Sequence, residues 1–123
     1  MLARILAALP GLAMGINAFM WITNPAAAAE NLGMPLLDGL ARSTQAGDFT
    51  AFFFACSVMA LLAAWKLNAT WAYGAALILG GAAVFRTLAW AVHGAEFATV
   101  FIAVEAIMTV MLIAAAQMMK SDT

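Results

Sequence analysis

Arg86, Glu105 and Asp48 are charged residues standing in long apolar stretches. Their types belong to acid, base and anion-holding chemistry, since a carboxylate takes up or releases a proton while a guanidinium directs several N–H donors at a carboxylate or phosphate. Asn17 and His93 extend the candidate group. A charge at the centre of a membrane span costs about 2.5–3.5 kcal/mol on insertion scales, so such residues are expected to pair and to face a bundle interior. Arg86 lies eight residues before Gly94, and Glu105 lies about as far beyond the turn at "HGAE". At about 1.5 Å of rise per residue, each sits on the order of 12 Å from the same end of its helix. Antiparallel neighbours joined by so short a turn bring the two together as an ion pair.

Asp48 enters its helix from the same side and Asn17 lies near the corresponding end of the first helix, so four helices each bring one polar group to one layer. His93 follows Arg86 by seven residues, two turns along the same helix face, which sets it above the cluster at the mouth. One arginine facing two carboxylates leaves the trio at minus one when all are ionised, an imbalance that a retained proton would relieve. Glu105 or Asp48 would then serve as a proton carrier, a general acid or a switch. The plainer reading is that the Arg86 and Glu105 pair only fixes helix register. His93 reads as an interfacial side chain, because a metal or haem site needs partners that the chain lacks.

The elements that must position these residues follow from composition. Of the 123 residues, 67% are hydrophobic and 9% charged, against roughly 45–50% apolar and about 25% charged in soluble domains. Five Lys and Arg with six Asp and Glu cannot clothe a small soluble globule. A spanning helix needs about 20 mostly apolar residues, and four stretches qualify, at approximately 3–23, 46–66, 70–93 and 97–119. The expected fold is a single all-α domain, a transmembrane four-helix bundle with a short interfacial helix after the first span. That short helix is "NPAAAAENLG", with Asn24 as N-cap, Pro25 in the first turn and Gly33 closing it. "KLNAT" is a tight turn in which Asn68 or Thr70 caps the third span.

The opening stretch, with Arg4, an apolar run and "PAAAAE", also fits a secretory signal peptide. Read as a span, it places Pro10 near the first turns, where a helix best tolerates it. Arg4, Lys66 and Lys120 fall on one side of the four-span arrangement, and Glu30, Asp38, Arg42, His93 and Glu96 on the other. The positive-inside tendency makes the first side cytoplasmic, giving a multi-pass inner-membrane protein with both termini inside. Trp65 and Trp71 would mark the inner boundary, and Trp21 and Trp90 the outer one. Gly11 and Gly15, and Gly80 with Gly81, make smooth patches for close helix approach, within one chain or between copies. The nine methionines and "FFF" at 52 to 54 read as lipid-facing or core packing, not as a cofactor box.

The net charge of -1 and the lack of a basic cluster argue against nucleic acid as a partner. Cys56 is the only cysteine, so neither an intrachain disulfide nor a cysteine-based metal cage can form within one chain. No nucleophile elbow, phosphate loop, HExxH helix or CxxC pair is present. The residues name no cofactor and no metal.

"NPAAAAENLGMP", the acidic start of "AGDFTAFFFACSVMALLAAW", and "FRTLAWAVHG" followed by "AVEAIM" together resemble the bacterial family of small four-helix integral membrane proteins catalogued as domain of unknown function 4345. The resemblance covers nearly the whole chain and falls on the Asn24-Pro25 turn, Asp48, Arg86, Gly94 and Glu105. It implies the fold and the polar layer, and carries no established activity. In topology alone the chain is also similar to small four-helix scaffolds that tether enzymes of sterol synthesis, an analogy of fold. The leading expectation is a small inner-membrane binding or accessory protein whose partners are membrane lipids, with a homo-oligomer or a larger membrane complex. The alternatives are a membrane-embedded isomerase or proton-transfer enzyme acting on a hydrophobic substrate, and an oligomeric transporter of protons or small solutes. A filled interior would favour the accessory role, a cavity opening sideways to lipid the enzyme, and an axial path through an assembly the transporter.

Overall fold

In a computed structural model of the chain, which describes residues 1–119, the elements are all helical: α1 (Leu2–Thr23), α2 (Pro25–Asn31), α3 (Gly39–Lys66), α4 (Ala69–His93) and α5 (Thr99–Met118). Lys120, one of the three basic residues behind the expected orientation, lies outside the described residues. The four long helices each have the length and apolarity to cross a membrane. The protein is a multi-pass membrane protein of the four-helix bundle class.

The chain runs up and down. α1 packs chiefly on α3 and α4 chiefly on α5, while α3 against α4 and α1 against α5 close the ring. The small residues decide how closely. Ser57 Oγ of α3 donates to the Gly11 carbonyl of α1 at 2.7 Å. A Cβ on Gly11 would meet Leu61 at 2.8 Å, and one on Gly15 would meet Ser57 Oγ at 2.9 Å. The Gly11 and Gly15 patch therefore packs within the chain, against α3. Gly80 approaches Thr109 of α5, whereas Gly81 has nothing near it. Pro10, in the third turn, is buried and α1 continues across it.

Helix ends follow their local chemistry. Asn24 Oδ1 accepts from Ala27 N at 3.3 Å at the start of α2, with Pro25 in its first turn. Gly33, at φ 79°, ends it through bonds from Gly33 N to Glu30 O and from Met34 N to Ala29 O, the paired closure that a left-handed residue after a helix permits. Asn68, not Thr70, caps α4, its Oδ1 accepting from Thr70 N at 2.9 Å. Arg4 Nη1 donates to the carbonyls of Ala64 and Trp65 at the end of α3, placing a cation where the helix dipole is negative. Arg4 and Lys66 thus share one end of the bundle.

Two expectations change. The second long helix starts at Gly39, seven residues ahead of the expected 46. Gln45 explains the extension: its Oε1 accepts from Leu37 N at 2.8 Å and its Nε2 donates to Pro35 O at 3.0 Å, tying the preceding segment to an extra helical stretch. Trp21, in the last turn of α1, faces the bundle interior and not outward. It is buried at 2% exposure and stacked on Phe49 of α3, ring centroids 5.1 Å apart, whereas Trp65, Trp71 and Trp90 are exposed.

Candidate functional site

The buried residues of α4 lie between Ala69 and Leu79, and those of α5 between Glu105 and Ala116. Around α4 and α5 the tightly packed core therefore fills the end of the bundle that holds Arg4 and Lys66, while α1, α2 and α3 stay packed toward the other end through Ala18, Trp21 and Ala28. Toward the other end the helices surround a cavity of about 710 Å³, within the range of about 300–1,000 Å³ usual for small-molecule sites. Its walls come from α1, α3, α4 and α5, and α2 adds Asn31 with the residue after it, Leu32.

Four of the five expected residues line this one cavity: Asn17, Asp48, Arg86 and Glu105. His93 does not. It lies exposed in the last turn of α4, outside the lining. It lies past Ala89, the last residue of α4 in the lining.

Arg86 and Glu105 meet as the depth reckoning requires, Arg86 Nε donating to Glu105 Oε1 at 3.0 Å. Local structure sets that register. Gly94, at φ 70°, ends α4, the chain reverses over 94–98, and Trp90 packs edge-on against Phe97 across the turn at 5.1 Å. Thr109 Oγ1 donates to the Glu105 carbonyl at 2.7 Å one turn further along α5. The guanidinium of Arg86 also lies over the ring of Phe101, 4.9 Å from its centroid, a cation–π contact that orients its plane. The Glu105 side chain is 10% exposed and that of Arg86 31%.

The expected trio resolves into a pair and a separate acid. Asp48 is exposed on the cavity wall, and among the described residues it makes no ion pair or hydrogen bond. Asn17 Nδ2 donates to Ala13 O at 2.9 Å, and Asn31 Nδ2 approaches Met20 Sδ at 3.9 Å. Among the described residues no group of three or more His, Cys, Asp and Glu gathers as a metal site would require.

The rest of the lining is apolar, and the residues alone did not reveal it. Phe52 and Phe53, read as packing, form part of the wall, their rings perpendicular with centroids 5.0 Å apart, while Phe54 faces outward. A signal was present in the spacing: Phe52 follows Asp48 by four residues and Phe101 precedes Glu105 by four, so each shares a helix face with its acid. Asn31 carried no such signal, because only the path of α2 brings it to the cavity. Phe85, Val100 and Val104 both line the cavity and are exposed, so its rim on α4 and α5 is apolar.

Compared with known proteins, the chain matches no family model, no curated protein and no solved structure.

Proposed function

We propose that this protein binds an amphipathic, lipid-like molecule within the membrane, its polar head at the Arg86 layer and its apolar part along the phenylalanine-lined wall. The observation that carries this reading is the cavity itself, where a few polar groups converge in an otherwise apolar lining with a mouth edged by exposed apolar side chains. Such composition is the usual one for small-molecule sites, with polar groups orienting a ligand held mainly by apolar contact. The positive-inside tendency supports placing the Arg4 and Lys66 end at the cytoplasm of a bacterial inner membrane, which sets the cavity in the outer leaflet. The small four-helix family named above fits this reading in topology and polar layer.

The sideways mouth favours a second reading, a proton-transfer enzyme for a hydrophobic substrate. Asp48 and Glu105 would supply a carboxylate pair in one cavity, the minimum that acid and base catalysis needs.

The test is retention of lipid by the purified chain, read by native mass spectrometry after gentle extraction. A defined lipidic molecule is expected on the wild type and much reduced on Ala82→Phe, which puts a ring into the cavity. Equal retention by both would remove the binding reading. Chemical conversion of the retained molecule by the wild type, abolished in Asp48→Asn, would establish the enzyme instead.

A further inference from the structure

Resting on the lipid-binding reading, we infer that the cavity selects an aminophospholipid-type head group, one carrying a primary ammonium beside an anion. The inference comes from how donors and acceptors are divided between its two walls.

On the α4 and α5 wall, Arg86 commits Nε to Glu105 and lies over Phe101. Among the described residues nothing accepts from its two Nη groups. Those groups offer several N–H donors in the planar fork that suits a phosphate or carboxylate. The wall facing them, built from α1, α2 and α3, carries no cation in the lining. It presents Asp48, without a partner among the described residues, and the side-chain amides of Asn17 and Asn31. Each amide turns its Nδ2 to a neighbour in the chain, Asn17 to Ala13 O and Asn31 to Met20 Sδ. Each Oδ1, with the second Nδ2 hydrogen, is left open. The Arg86 wall thus offers free cationic N–H donors beside the paired Glu105, and the other wall offers an unpaired carboxylate with two amide oxygens.

Charge leads to the same head group. Arg86 with Glu105 is a neutral pair, and Asp48 leaves the cavity at minus one when ionised. A purely anionic head would meet Arg86 but leave Asp48 facing like charge. A zwitterionic head satisfies both, its phosphate on the Arg86 Nη groups and its ammonium on Asp48. A primary ammonium has N–H donors to give to Asp48 and to an amide oxygen beside it, whereas a quaternary ammonium has none. The structure therefore favours a phosphoethanolamine-type head over phosphocholine and phosphoglycerol.

The experiment embeds the full chain in nanodiscs of equimolar dioleoyl phosphatidylethanolamine, phosphatidylglycerol and phosphatidylcholine, and measures retained lipid by native mass spectrometry. Wild type is expected to retain the ethanolamine lipid about tenfold or more over the other two, the worth of one hydrogen bond to a charged group. Asp48→Asn, which alters an exposed residue, should abolish that preference while keeping lipid in the cavity. Equal retention of the three lipids, a preference for phosphatidylglycerol or phosphatidylcholine, or an unchanged preference in Asp48→Asn overturns the head-group inference and leaves the binding reading standing. If Ala82→Phe retains as much lipid as wild type, the lipid is not in the cavity and both fail.

Discussion

The two ends of the bundle use the same four helices differently. At the end holding Arg4 and Lys66, Ala7, Ala60, Ala63, Ala72, Ala75 and Ala115 are all fully buried. In the opposite half, Phe52, Phe85 and Phe101 stand around the cavity with Asp48, Arg86 and Glu105. Side-chain size accounts for the difference. Alanine and glycine let helix backbones approach closely, which matters in lipid, where apolar burial gives helices no preference for one another over acyl chains. Phenylalanines and a charged pair hold the other half apart. One end is closely packed, and the other encloses the cavity.

The same type of substitution should therefore have opposite consequences at the two ends. Ala75→Phe forces a ring into fully packed space and should cost about 3 kcal/mol, overpacking being the cause. Ala82→Phe enters the cavity and should stay within about 1 kcal/mol of wild type. Unfolding of both variants in detergent micelles checks this, and equal losses would erase the distinction between the ends.

Next in size is Glu105→Ala, which strands Arg86 and should cost about 2 kcal/mol, less than for a fully buried pair because Arg86 is partly exposed. Arg86→Ala with Glu105→Ala together should lose less than the two single changes summed, as a double-mutant cycle would reveal. Asn24→Ala removes the cap that starts α2 and should cost about 1 kcal/mol, loosening the element that brings Asn31 to the cavity; hydrogen exchange over 25–34 should rise. Ser57→Ala removes one interhelical bond in the packed half, worth about 0.6 kcal/mol in membrane proteins. The smallest change is Asp48→Asn, expected within about 0.5 kcal/mol of wild-type stability because the residue is exposed and unpaired among the described residues.

How far the site could be read in advance depended on whether one helix or several had to be known. Arg86 and Glu105 lie on consecutive antiparallel helices joined by a short turn, so counting residues to Gly94 was enough to match their depths. Trp21 misled because its type suits a membrane boundary, while its burial depends on stacking against Phe49, 28 residues later in the chain. His93 has the exposed place at a helix end that an interfacial side chain would take, but helical periodicity could not say that the cavity lining on α4 stops at Ala89. The Gly11 and Gly15 patch was visible as a close-approach surface, yet only the fold chose Ser57 and Leu61 over a second copy.

Four spans, a capped short helix after the first, and a common depth for Arg86 and Glu105 were all legible in the order of residues alone. Those properties depend on run length, capping chemistry and helical rise, all local to one or two adjacent elements. It took the packed bundle to show that Asp48 stands apart from the pair, that Asn31 joins the lining, and that a cavity lies between them. These depend on which helices pack closely and which are held apart, a balance set by side-chain volumes across the whole bundle at once.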